Sequence, residues 1–179
     1  MNGSAGRAVT ILELDADAYA EAIPGLAALI VDAVAGGSSV NFLSGVTVEE
    51  AAAWWAARSD QVAAGVISPF VALRGGSVVG SVLLMRATNP NSPHRAEIGK
   101  VIVLHSAQRQ GIGAGLMAAA EARARADGCW LLMLDTETGS PASSLYEVLG
   151  WHRAGDIPNF ALKTDGELTS TTYYWKDLR

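Results

Sequence analysis

The stretch VIVLHSAQRQGIGAGLMAAAEARARADGC, residues 101–129, constrains the fold more than any other part of the chain. A β-branched apolar run gives way to a polar loop, which passes through Gly111 and Gly113 into an alanine-rich helix. Glycine weakens a helix, so two of them at its mouth imply that something approaches the main chain there. A strand, a loop of free N–H groups and a helix N-terminus together form a ready anion site. This is not a P-loop, because no Lys-Ser/Thr pair follows the second glycine, and GIGAGL lacks the glycine spacing of a dinucleotide fingerprint. Two glycines alone fit a plain loop-to-helix connection equally well.

The elements around this crossover alternate. RAVTILELD reads as a first strand, and Asp15 or Asp17 can cap the helix that follows, which stops at Gly36-Gly37. VTVEEAAAWWAARSDQVAAG reads as one second helix, with Thr47 and Glu50 forming a capping box and Gly65 ending it. ISPFVALRGGSVVGSVLLMRAT is a hairpin turning at Gly75-Gly76, and AEIGKVIVLH is the strand that feeds the glycine loop. After the long helix come the strand WLLMLDT, a short helix SPASSLYEVLG and two closing strands. The expected fold is α/β, a mixed central sheet of about seven strands flanked by helices, in one domain spanning residues 1–179.

Composition narrows the partners. A net charge of −5 gives no basic field for a polyanion, which excludes nucleic acid and suits a cationic amine better. The N-terminal segment meets Glu13 and Asp15 early, so it is not read as a signal peptide, and no apolar run is read as a membrane span. The expected location is therefore the cytoplasm. The single Cys129 reads as a buried thiol, and His94, His105 and His152 lack paired metal-ligand spacing, so no metal is assigned. EARARA reads as a solvated helix face.

QRQGIG resembles the Gln/Arg-x-x-Gly-x-Gly/Ala signature of the GNAT family of N-acetyltransferases, with Gln108, Gly111 and Gly113 at the signature positions. HRAEI, LDTETGSPASSLY, GDIPNFAL and TTYYWK resemble, in that order, segments of the tabtoxin-resistance-type members. The resemblance covers nearly the whole chain and implies a single GNAT-like domain with acetyl-CoA as acyl-donor substrate. It implies that main-chain groups of Gln108, Arg109, Gln110, Gly111, Ile112, Gly113 and Ala114 bind the pyrophosphate. It also implies that the strand Val101, Ile102 and Val103 bonds the pantetheine arm. The chain departs from the family at Gly139, where an asparagine is usual, so that a contact is either missing or supplied by Ser143 or Ser144. A second departure is His105 in place of a common proline.

Acetyl transfer to an amine needs a neutral nitrogen, whereas a lysine-like amine is mostly protonated at neutral pH. A carboxylate acting directly or through water can take the proton. Glu97 is the first candidate base, since its offset from Gln108 matches the catalytic glutamate of histone-acetylating relatives; the alternative is a strand-end carboxylate paired with Arg95 or Lys100. Strict alternation puts Glu97, Gly99, Val101 and Val103 on one face and Ile98, Lys100 and Ile102 on the other. Asp135, at the mouth of a parallel strand, either orients the substrate, serves as base or caps the next helix. The resemblance places Tyr146 beside the thioester sulfur as acid; the alternative is a core ring whose hydroxyl bonds a carbonyl.

For the acceptor, Asn41 and Phe42 lie in a segment that shapes the pocket in related folds. Trp55, of the Trp54-Trp55 pair, is expected to line it, and His94 either reaches the cleft or sits on an exposed loop. The expected activity is direct attack on acetyl-CoA by the primary amine of a small molecule, such as an amino-acid-like toxin or antibiotic. The alternatives are acetylation of a protein N-terminus or lysine, and a non-catalytic acyl-CoA-binding module. Exposed C-terminal strand edges suggest a homodimer.

Overall fold

The computed structural model describes residues 8–179. The elements run β1 (Val9–Glu13), α1 (Ala16–Ala35), α2 (Val48–Ala56), α3 (Ser59–Ala63), β2 (Ile67–Arg74), β3 (Ser77–Arg86), β4 (Arg95–Val103), α4 (Ile112–Ala126), β5 (Leu131–Glu137), α5 (Pro141–Val148), β6 (His152–Leu162) and β7 (Leu168–Asp177). They form one seven-stranded mixed sheet in the order β1-β2-β3-β4-β5-β7-β6, in which only β4 and β5 run parallel. This is the α/β architecture the sequence predicts.

Local chemistry sets the boundaries. Asp15 caps α1 by accepting the Ala18 N–H at 2.9 Å. Thr47 and Glu50 close the expected capping box on α2. The β2–β3 turn places Gly75 and Gly76 at φ +57° and +82°, the left-handed pair that a two-residue hairpin turn requires. The second helix is not continuous: α2 ends at Ala56, and the Arg58 guanidinium folds back onto the Trp54 carbonyl at 2.6 Å before α3 begins.

Each face of the sheet carries a core. On one face α4 packs with Ala96, Ile98, Leu132, Leu134, Tyr146 and Tyr174. On the other, α1 and α2 bury Leu26, Leu29, Ile30 and Trp55 against Val71, Leu83 and Ile102. A fully buried leucine or isoleucine contributes about 2 kcal/mol, so the apolar face of α1 is committed to the sheet. By length and composition α1 could cross a membrane, with a mean hydropathy of 1.5, contrary to the expectation that no run would. Its apolar residues are spent on the core instead. Glu121 of EARARA is also not solvated: it is buried, pairing with Lys176 Nζ at 2.8 Å and accepting from Trp151 Nε1 at 3.2 Å.

Candidate active site

The site is a slit in the sheet. β4 and β5 pair only from Arg95 to Glu97 against Leu131 to Met133; above that level neither strand bonds the other. β4 departs from β5 because it carries an extra residue. On β3, Ser81 faces Ile102 and Leu83 faces Gly99, so three steps on β4 oppose two on β3, and Lys100 stands at φ +51°. A bulge of this kind bends its strand, and among the described residues no strand pairs with the Ile98–Val103 edge on the slit side.

The bulge also overturns the expected alternation. Ala96 and Ile98 pack in the α4 core, and beyond the bulge Val101 and Val103 pack against that same core. Ile102 lies in the α1 core, and a Cβ on Gly99 would fall 2.7 Å from Met85, which packs there too. Glu97, Gly99, Lys100 and Ile102 therefore share the α1 face, while Val101 and Val103 face α4.

On the α4 side, the 108–114 loop has the chemistry of an anion cradle. Gly111 is the N-cap of α4 at φ +81°, no side chain among the described residues caps the helix, and its first turn holds no acidic residue. The first N–H groups of a helix have no internal acceptor, so they are free for a diphosphate. Gln108 Nε2 bonds the Val103 carbonyl at 3.2 Å, and Arg74 donates to Gln110 at 2.6 Å, which fixes the loop against β4 and β2. His105 adds a tether, its N–H reaching Asp32 Oδ2 at 2.9 Å and its Nδ1 lying 2.8 Å from the same oxygen. The two signature glycines have different reasons. A Cβ on Gly111 would meet nothing within 4 Å, so that position needs the left-handed backbone, whereas a Cβ on Gly113 would stand 3.2 Å from Leu145 of α5. Gly113 thus admits the neighbouring helix. Gly139, at φ +75°, is likewise a left-handed position, and Ser144 is exposed on α5.

Tyr146 rises from α5. Its ring is buried against Trp151 and Tyr174, with centroids 6.2 and 5.9 Å away, and its hydroxyl bonds no carbonyl among the described residues. Burial, and then the charge of Asp135, hold the phenol well above its ordinary pKa.

On the opposite face stand the carboxylates. Glu97 is exposed and makes no ion pair among the described residues, so the pairing with Arg95 or Lys100 is absent. Desolvation raises its pKa, and Asp135 raises it further. Asp135 does not cap α5, whose N-cap is Ser140; it accepts the Thr171 hydroxyl at 2.9 Å. Its charge acts on Glu97, Lys100, Tyr146 and Tyr173, which puts it at the hub of the slit.

Of the expected acceptor residues, Asn41 and Phe42 lie in the α1–α2 loop, and Phe42 packs edge-on against Trp54 at 6.2 Å. Trp55 is a correction: it is fully buried in the α1 core, and its neighbour Trp54 is the half-buried ring beside Phe42, Arg58 and Lys100. Adjacent helical residues cannot share a face, and Tyr19 takes the Trp55 side with its hydroxyl on the Trp55 carbonyl at 2.8 Å. His94 is a second correction. It stacks on Trp130 at 4.6 Å, at the N-terminal ends of β4 and β5, away from the slit. The sequence pattern did not bring Trp54, Arg58 and Lys100 together, as the structure does. The signals were there: a glycine inside a strand pattern marks a bulge, and Trp54 and Arg58 are four apart in the segment that reads as one helix.

Residues 41–151 match the Acetyltransferase (GNAT) family. The chain belongs to that family. It is an acetyl-CoA-dependent acetyltransferase of the GNAT fold, and its loop and strand edge fit acetyl-CoA as donor. Among the described residues no group of three His, Cys, Asp or Glu could hold a metal. An N-acetyltransferase from Staphylococcus aureus Mu50 superposes with a TM-score of 0.79 at 22% identity, over 96% of this chain and 99% of that one. A ribosomal-protein-alanine N-acetyltransferase from Brucella melitensis gives 0.76 at 24%, over 94% and 99%. A phosphinothricin acetyltransferase from Sinorhizobium meliloti, solved with acetyl-CoA, gives 0.76 at 20%, over 95% and 88%.

Proposed function

We propose that this GNAT acetylates the primary amine of a small molecule, with amino-acid-like antimetabolites as the class toward which the tabtoxin-resistance resemblance points. The observation that carries the small acceptor is a bridge over the slit. The α1–α2 loop is held to β4 at one end, where Lys100 Nζ donates to the Val40 carbonyl at 2.8 Å. Farther along, Ser44 N–H donates to the Thr164 carbonyl in the β6–β7 turn at 2.9 Å. The loop therefore crosses from one side of the parting to the other, on the face that carries Glu97 and Asp135. A protein acceptor asks for an open groove, and a roofed crevice favours a small one.

Acetyl-CoA supplies an activated acetyl thioester through the α4 side. Its diphosphate is assigned to the main-chain N–H groups of residues 108–114 and its pantetheine arm to the free edge from Val101 to Val103, with Ser144 beside it. From the α1 side the acceptor amine gives its proton to Glu97, and Asp135 orients it between Asn41, Phe42 and Trp54. The neutral amine nitrogen bonds the acetyl carbon as the carbon–sulfur bond breaks, and the second proton it sheds in becoming an amide passes to solvent. Tyr146 presents its O–H to the departing sulfur. A thiol has an ordinary pKa of about 8.5, so a phenol raised above 10 stabilises the thiolate by hydrogen bonding, and solvent supplies the proton finally bound. Residues 1–179 are taken as one domain, located in the cytoplasm and paired as a homodimer through β6, an edge strand exposed along its whole length.

The test is release of CoA thiol from acetyl-CoA with a panel of small amines, followed by pH–rate profiles. Glu97 must be deprotonated to act, so its raised pKa places the acid limb of kcat/KM above the ordinary glutamate range. Glu97→Gln is expected to lose rate most near neutrality and to recover as rising pH deprotonates the amine in solution. Asp135→Asn removes one of the two raising influences, so its acid limb moves to lower pH while the acceptor KM rises. An unchanged limb in Asp135→Asn, or a pH-independent loss in Glu97→Gln, refutes these roles; turnover of peptides but of no small amine refutes the acceptor class.

A further inference from the structure

The roof of the crevice holds two cations, neither in a contact ion pair among the described residues, with Asp135 acting on Lys100 only at longer range. Arg58 stands at the break between α2 and α3, its guanidinium carbon 3.1 Å from the centroid of the Trp54 ring. Lys100 Nζ lies 4.4 Å from the same centroid. Both side chains are half-buried. Neither comes within 4.0 Å of a carboxylate among the described residues, and of the unpaired cations these two share one aromatic ring.

Two like charges beside one ring repel, and removing them partly from water adds a further cost. Each lowers its pKa by desolvation first, and Arg58 then pushes Lys100 down to about 8. Shielding Trp54 would need only one cation, and holding the Trp54 and Val40 carbonyls would need no charge. Of the five guanidinium N–H donors only one bonds a protein acceptor among the described residues, the 2.6 Å bond to Trp54; Lys100 likewise spends one of three on Val40. The remaining donors are unspent in a crevice whose other wall is acidic.

We propose that Arg58 and Lys100 form a subsite for a carboxylate carried by the acceptor, so that the acceptor is a zwitterion lying between an acidic pair and a basic pair. Its amine is placed at Glu97 and Asp135, and its carboxylate takes the free donors of Lys100 and Arg58 above Trp54. This rests on the reading of the crevice as the acceptor site. The bulge makes the arrangement available, because strict alternation would have turned Lys100 toward α4. The net charge of −5 then no longer describes the ligand: a simple cationic amine would meet the basic pair unfavourably.

Calorimetric titration of the CoA-bound protein tests the subsite without turnover. The probes are N-acetylated amino acids and the same compounds as uncharged carboxamides. The carboxylates are expected to bind at least about tenfold more tightly, the usual worth of a charge-assisted hydrogen bond. Arg58→Gln and Lys100→Gln should each weaken them about ten- to a hundredfold while acetyl-CoA affinity is retained, and Arg58→Lys, which keeps the charge, should preserve the preference. Equal affinity for carboxylates and carboxamides, or binding of neither, overturns the proposal. The thiol-release assay separates it from the reading beneath it. Free amines turned over without regard to a carboxylate would overturn the subsite and leave acetyl transfer to small amines standing. Carboxylate-selective binding with no amine acetylated would do the reverse.

Discussion

Replacing Tyr146 by phenylalanine isolates a proton from a packed ring. The ring sits against Trp151 and Tyr174 and is only 5% exposed, so its loss as alanine would cost about 3–5 kcal/mol of packing and say nothing of chemistry. Phenylalanine keeps those contacts. The hydroxyl it removes bonds no protein group among the described residues, so no partner is orphaned, and stability should change by less than about 0.5 kcal/mol. In a chain of 179 residues 1 kcal/mol moves Tm by about 2–4 °C, so the expected shift is under about 2 °C. Turnover should fall about a hundred- to a thousandfold, since a donor aimed at developing negative charge is worth that much, while acetyl-CoA affinity holds. The assay pairs thermal melting with thiol release at saturating acetyl-CoA. A rate equal to that of the unmodified enzyme would refute the donor role. So would a parallel fall in Tm of several degrees, because it would tie the lost rate to packing.

Two further outcomes follow from the same structure. Gly111→Val forces a β-branched side chain into the left-handed region at a cost of about 1–2 kcal/mol and covers the mouth of α4; calorimetry should show acetyl-CoA binding weakened at least about tenfold, more than in Gly113→Ala, whose methyl meets Leu145 and not the loop. Lys176→Met leaves Glu121 buried beside Trp151 without its cation, so chemical denaturation should report a loss of about 3–5 kcal/mol, largely restored when Glu121→Leu is added.

What the sequence disclosed was what depends on spacing. The capping box at Thr47, the Gly75-Gly76 turn and the glycine loop before α4 are local, each set by residues within a few positions, and each stands where the pattern puts it. What it concealed depends on partners far along the chain. Trp54 and Trp55 are indistinguishable in AAAWWAAR until Tyr19, thirty-six residues away from Trp55, claims one of them. Glu121 looks solvated until β7 delivers Lys176. His94 looks like a loop residue near a catalytic strand until Trp130 stacks on it at the end away from the slit.

The bulge in β4 ties these levels together. A regular strand from Arg95 to Val103 would keep one period of alternation, and its face toward α1 would present Glu97, Val101 and Val103, a carboxylate followed by apolar groups. One extra residue at Gly99-Lys100 puts two consecutive residues on the α1 face, so the lysine joins the glutamate there and the valines turn to the donor side. The same insertion bends β4 away from β5 just beyond the last paired residue, Glu97, and so opens the slit beside the carboxylate. Lys100 can hold φ +51° because Trp54, Val40 and the Ser81 hydroxyl, which donates to the Lys100 carbonyl at 3.0 Å, fix it on three sides. A non-glycine residue in that region costs of order 1–3 kcal/mol and persists where its surroundings over-determine it. Here one strained residue separates the strands, reverses the faces and sets a charge on the wall of the slit.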